Sequence, residues 1–231
     1  MHKAHLAVAA AILAASSLAT SPSPAKAAPA PAATAVLFDA SHLANMGAGD
    51  HVTYSFERKG SDPALLGENF TDTVKVGVTA VEDGGTRAVS VDIFTGARAR
   101  PEQKISGMTG NPVLVLFLDR AVSNFAALAG GQRPYLKNRF KQQLDQSSKV
   151  EPVSISYNGQ TFEGFRVSVS PFVGDPNALK MRGYDGSSFE VVVCDKIPGH
   201  FVATRSLYVT PSADGLRLEE TLKLDGVGEI K

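Results

Sequence analysis

Tryptophan is absent from the 231 residues, cysteine occurs once, and aromatic residues make up only 7% of the chain. The lone cysteine, Cys194, rules out an internal disulfide, and with it the small stapled scaffolds that depend on several. A chain of this length can build a hydrophobic core without staples. Cys194 ends the apolar run Glu190-Val191-Val192-Val193, so it reads as a small buried hydrophobe in a strand.

Histidine is scarce as well. Of five, His2 and His5 belong to the extreme N-terminus, which leaves His42, His51 and His200. No two of these stand at metal-ligand spacing, and H-E-x-x-H and C-x-x-C are both missing, so no metal site is expected. Net charge is missing too: 23 Lys and Arg balance 23 Asp and Glu. Without a basic field, nucleic acid is excluded as an expected partner. The catalytic signatures are equally thin. No G-x-S-x-G elbow occurs, and Asp185-Gly186-Ser187-Ser188 reads as an ordinary turn. No phosphate-cradling G-x-x-x-x-G-K loop occurs, and Gly107-Met108-Thr109-Gly110-Asn111 reads as a connector. No catalytic residue, cofactor or metal is expected from motifs.

Long apolar runs are confined to the N-terminus. Lys3 and two histidines precede Leu6–Ala19, an Ala/Val/Leu/Ile-rich stretch about as long as a signal-peptide core. It falls short of the roughly 20 residues of a membrane span. Ser21-Pro22-Ser23-Pro24 breaks it, and Ala25-Lys26-Ala27 supplies small residues for cleavage after Ala27. The expected organisation is a signal peptide over 1–27, a disordered Pro/Ala-rich leader over 28–35, and one β-rich domain over 36–231. No cysteine follows the signal to carry a lipid. The longest later apolar run, Val113–Leu118, is strand-sized, so no transmembrane segment is expected after signal removal. The expected location is the periplasm or the medium, as a soluble protein.

Period-two alternation dominates from Val36 onward. Val52, Tyr54 and Phe56; Val74, Val76 and Val78; and Val89, Val91 and Ile93 each alternate with polar residues, as half-buried strands do. Glu82-Asp83-Gly84-Gly85 is a hairpin signal, and Asn158-Gly159 is a stronger one. Lys104–Pro112 reads as a loop, and Val113–Leu118 fits either a doubly buried strand or the start of a core helix. Helical spacing follows: Val122, Phe125, Ala126 and Ala129, a stop at Gly130-Gly131, then Leu136, Phe140 and Leu144 behind Pro134. Alternation resumes at Val153, with further strands over 162–169, 189–194, 201–209 and 216–224 and a turn at Asp214-Gly215. The expected fold is mainly β (α+β): one antiparallel curved sheet or open barrel of about nine to ten strands with a helical insertion near 120–146, whose amphipathic helix covers the concavity or plugs one end.

The residues that stand out for binding are Asp119 and Arg120, charged at the end of an apolar segment, and Arg133, Tyr135, Lys137 and Phe140, which interleave basic and aromatic groups on one helix. They suit an apolar or lipid-like ligand: Asp119 and Arg120 as a charged group at the mouth of an apolar cavity, and the basic helix in contact with anionic lipid headgroups or another envelope polymer. The expected role is to hold an apolar ligand in the sheet concavity. A hydrolase assembled from His200, Asp195, Asp119 and Arg120 is one alternative. A structural or protein-interaction module with an envelope partner, using a strand edge or Lys137, Arg139 and Lys141, is another. In layout alone the expected fold is similar to the open-barrel carriers and cell-envelope proteins of Gram-negative bacteria, lipoprotein carriers included.

Overall fold

A computed structural model describes residues 30–212 and 215–231. The signal peptide expected over 1–27 lies outside the described residues, as does Asp214 of the expected Asp214-Gly215 turn. In chain order the elements are β1 (His51–Gly60), α1 (Pro63–Leu66), β2 (Phe70–Val81), β3 (Arg87–Ile93), β4 (Gln103–Met108), α2 (Pro112–Ala129), α3 (Arg133–Gln146), β5 (Lys149–Tyr157), β6 (Gln160–Val169), β7 (Ser188–Val193), β8 (Phe201–Val209), β9 (Arg217–Leu224) and β10 (Val227–Ile230). All ten strands form one antiparallel open sheet in the order β10-β5-β6-β7-β8-β9-β1-β2-β3-β4. The expected curved, mainly β sheet with a central helix pair is what forms.

Local signals explain most of it. Asn158 and Gly159 sit at φ 48° and 78°, the positive values that a two-residue type I′ turn needs and that these residues tolerate. Tyr157 consequently pairs with Gln160 in perfect hairpin register. Asp62 accepts backbone N–H bonds from Ala64 and Leu65 and starts α1 ahead of Pro63, the usual N-terminal chemistry.

The curvature follows from the connections. β1–β4 and β5–β9 are two meanders joined through the β9–β1 pair. Only Asp225 and Gly226 separate β9 from β10, yet β10 pairs with β5 on the far side of the second meander. The three steps from Leu224 to Val227 span at most about 11 Å, so the outer edge of β5, where β10 pairs, lies near the end of β9. The second meander is therefore curled almost into a closed barrel. Gly164 in β6 permits the crowding, since a side chain there would collide with the Val193 carbonyl and the Ile155 side chain.

One open reading is decided, and the expectations for the helical insertion, the loop before it, the strand count at the C-terminal end and the N-terminal leader need correction. The run Val113–Leu118, open between strand and helix, is the first half of α2, because Asn111 accepts the Val113 N–H at 3.0 Å and Pro112 takes the first turn. The helical insertion thus begins at 112, not near 120. Much of the expected loop Lys104–Pro112, whose alternation Gly107 and polar residues mask, belongs instead to the edge strand Gln103–Met108 paired with β3. The strand β10 was missed, being too short to show a period. The end of the expected leader and the alternation expected from Val36 give way to a helical turn at Ala35–Asp39, entered through Ala33 and Thr34, with Ala33 and Leu37 buried.

The concavity of the sheet is packed. Phe117, Ala121 and Phe125 of α2 turn inward; the Tyr208 hydroxyl of β8 donates to the Ala121 carbonyl at 3.2 Å, and Phe140 of α3 meets Phe189 of β7 at 4.8 Å between ring centroids. Between Phe117 and Arg120 on the helix and Thr204, Glu220 and Leu222 on the sheet, only about 10 Å³ remains open, no more than one water needs. The apolar ligand expected in that concavity has no room between these residues. α2 is long and apolar enough, by length and composition, to cross a membrane. Its apolar faces are engaged with the sheet along most of one side and, as described next, left open along another.

Candidate functional site

α2 is apolar over more of its circumference than the sheet can cover. Val113, Leu114, Phe117, Ala121 and Phe125 are buried, whereas Val115 is 65% exposed. α3 packs beside it through the stripe Leu136, Phe140 and Leu144. Between the two helices and the helical turn Ala35–Asp39 an open groove of about 600 Å³ remains. Val115, Leu118, Val122, Phe140, Leu144 and Phe38 make its apolar surface, and Thr34, Asp39, Asp119, Lys137 and Lys141 its rim. A volume of this size lies within the range of small-molecule sites, and a contiguous apolar patch rimmed by polar groups is a mark of binding.

Asp119 and Arg120, both expected at the ligand, are split by helical geometry. Neighbouring residues on a helix point about 100° apart. Asp119 turns to the groove and pairs with Lys137 at 2.9 Å. Arg120 turns to the sheet, where its guanidinium binds the Glu220 carboxylate through Nε at 3.1 Å and lies over the Phe56 ring at 4.9 Å. Tyr135 faces the loop after β6: its hydroxyl donates to the buried Asp175 carboxylate at 2.7 Å, and Arg139 pairs with the same carboxylate at 3.1 Å. These bonds seat the start of α3. Arg133 is exposed at the first turn of α3 and is not among the groove residues. Of the six residues expected, the structure brings Asp119, Lys137 and Phe140 to the groove and places Arg120, Arg133 and Tyr135 elsewhere.

Sequence reasoning missed Phe38, Val115, Val122 and Leu144 as ligand residues, and it named Lys141 on the basic helix without placing it in the ligand set. Lys141 and Leu144 were within reach, since they continue the Lys137 and Phe140 rows at four-residue steps. Phe38 left no signal, because a single helical turn is too short for a period.

The residues of the alternative hydrolase do not converge. His200 and Asp195 line one small pocket of about 220 Å³ with His42, Glu163 and Cys194, but no hydrogen bond joins any two of their side chains; Asp119 and Arg120 lie at the helices. The unexpected partner is His42, whose ring meets that of His200 at 5.7 Å edge-to-face. His42 is 1% exposed. Its Nε2–H donates to the Val36 carbonyl at 2.8 Å, and its Nδ1 accepts the Asn111 N–H at 3.4 Å, which assigns the neutral ring. The junction ties three elements together: the N-terminal helical turn, the cap of α2, and, through the Asn111 Nδ2–Gly199 carbonyl bond of 2.9 Å, the β7–β8 loop.

Burial lowers the pKa of His42, opposed by its bond to Val36. Burial, then the neighbouring His42, lowers that of His200, against the pull of Asp195. Above the ordinary value of 6.5 both the folded and unfolded chains hold these rings neutral. Below it the unfolded chain takes up protons that the folded one resists, so stability is full above 6.5 and is lost as pH falls through the lowered folded values, by at most about 1.4 kcal/mol per pH unit for each ring. Urea midpoints measured between about pH 7.5 and 5.5 are expected to fall, and His42→Gln is expected to flatten the profile. A midpoint that stays level in the unaltered protein would show that the rings titrate normally.

No protein-family model matches the chain, and no curated protein does. Among solved structures it is similar to the MucA/MucB complex of Pseudomonas aeruginosa, at 14% identity and a TM-score of 0.32, over 81% of this chain and 54% of that one. It is also similar to the Mycobacterium tuberculosis lipoprotein LppX, at 14% identity and a TM-score of 0.30, over 82% of this chain and 91% of that one. The chain thus spans about half the length of the first of these.

Proposed function

We propose that this chain is an exported, non-catalytic protein of the cell envelope that binds or carries an apolar, lipid-like ligand. The site is the groove between α2, α3 and the N-terminal helical turn. One observation carries the reading: Val115 and Phe38 are 65% and 46% exposed on the walls of an apolar groove of about 600 Å³, while the opposite face of the same helix pair completes the core. Bare apolar surface of this kind gains roughly 25 cal/mol for each Å² covered by a ligand. Export rests on the basic start, apolar run and small-residue cleavage pattern of Met1–Ala27.

Native mass spectrometry of the protein purified from its exported compartment tests this reading, with a bound amphiphile as the expected result. A neutral naphthylamine dye that brightens in apolar sites provides the solution assay. Val115→Glu places a carboxylate on the groove wall, where a bound apolar group would have to desolvate it. Dye affinity is expected to drop by about tenfold or more, while stability changes by no more than about 0.5 kcal/mol because the position is exposed. Unchanged dye binding in this variant would remove the groove from consideration. A captured peptide segment in place of a small amphiphile would favour the protein-interaction reading.

A further inference from the structure

Resting on that reading, we infer that the groove selects an amphiphile with an anionic head, held by Lys141 and Lys137 of α3. The charges on the rim are not mixed evenly. Lys137 and Lys141 stand four residues apart, so their side chains lie on one face of α3 a single turn from each other. Both line the groove, which places their aliphatic stems along its apolar wall and lets their ammonium groups reach the mouth. The acidic rim residues belong to the other walls: Asp119 to α2 and Asp39 to the helical turn.

Pairing on this rim is incomplete. Lys137 bonds Asp119 at 2.9 Å, with both side chains 55% exposed. Such a solvent-facing pair is held weakly and exchanges its partner at little cost. No ion pair joins Lys141 to a carboxylate among the described residues, and Asp39 likewise has none. Two cations one helical turn apart repel each other unless an anion lies between them. A carboxylate or phosphate at the mouth satisfies both, drawing Lys137 from Asp119 and giving Lys141 a partner. Its chain then runs along Phe140 and Leu144 toward Val115 and Leu118. Asp39 repels the same head, which confines it to the α3 side.

Four amphiphiles sharing one dodecyl chain test this: dodecanoate, dodecyl phosphate, dodecanol and dodecyltrimethylammonium, each competed below its micelle concentration against the neutral dye. The anionic pair is expected to displace the dye at about tenfold lower concentration than dodecanol, and the cation at equal or higher concentration. In Lys137→Gln/Lys141→Gln the preference of the anions over dodecanol is expected to vanish. Asp39→Asn is expected to tighten the anions a few-fold. Equal displacement by all four heads, or preference for the cation, overturns this inference and leaves the carrier reading standing. Weaker anion binding in Asp39→Asn also overturns it, since that would assign Asp39 to the head. Failure of all four chains and of the dye overturns the carrier reading itself.

Discussion

Glu220→Ala is expected to destabilise the protein by about 3–5 kcal/mol, because it strands two arginines against the core. Glu220 sits on the inner face of β9 and is 5% exposed. Arg58 of β1 and Arg120 of α2 both pair with its carboxylate, and the Asn124 side chain donates to it at 2.8 Å. Removing the carboxylate leaves two guanidinium groups, 15% and 20% exposed, without the charge that offsets their desolvation. Urea unfolding followed by circular dichroism measures the loss. The preceding residue supplies the control: Glu219 faces outward and pairs with Arg205 and Arg217, and its replacement by alanine is expected to cost about 1 kcal/mol or less. If the two substitutions cost the same, the cluster contributes no more than a surface pair.

Phe125→Ala carries a loss of similar size, about 3–5 kcal/mol, from a different cause. Phe125 is completely buried, and its ring stacks on Phe172 at 3.8 Å between centroids. The substitution removes a large apolar side chain and opens a cavity that the ten-stranded sheet cannot collapse into. Phe172 belongs to the loop that also positions Asp175, the partner of Tyr135 and Arg139. The same ring stack therefore supports the seating of α3 and one wall of the groove. Phe172→Ala is expected to cost a similar amount, and the double variant clearly less than the sum, because each single change already breaks the stack. Additive losses would show that the two rings contribute independently.

The strands that were easiest to read are those with one clean apolar face. Every second residue of β3 is buried, as are Val52, Tyr54 and Phe56 in β1 and Val74, Val76 and Val78 in β2, and this alternation is plain in the chain. β4 was misread because its burial is weak from end to end. An edge strand with a partner on one side only need not carry an apolar face. The run Val113–Leu118 was undecidable by period, since an apolar segment looks the same as a doubly buried strand or as a helix turned toward the core. What decides it is the Asn111 cap and the Pro112 that follows, a local signal in the two residues immediately upstream of the run.

The candidate site was half legible. Lys137 and Phe140 were recognisable because an amphipathic helix repeats its faces at fixed steps. Arg120 and Tyr135 drew attention for the right chemical reason, an unusual charge and an amphipathic ring, but they work as anchors for the helices. His42 and His200, 158 positions apart, gave no hint of contact, since nothing in spacing encodes a meeting made by two distant loops.

From the amino-acid chain alone come the helices, most of the strands and the turns between them, because alternation, caps and Asn-Gly chemistry act within a few residues. The pairing of β9 with β1, the curl that carries β10 back to β5, and the filling of the concavity by α2 belong to the tertiary structure. So does the groove. α2 is apolar around much of its girth, and sequence cannot say which part the sheet covers; only packing leaves Val115, Leu118 and Phe38 facing outward together with two lysines at their edge.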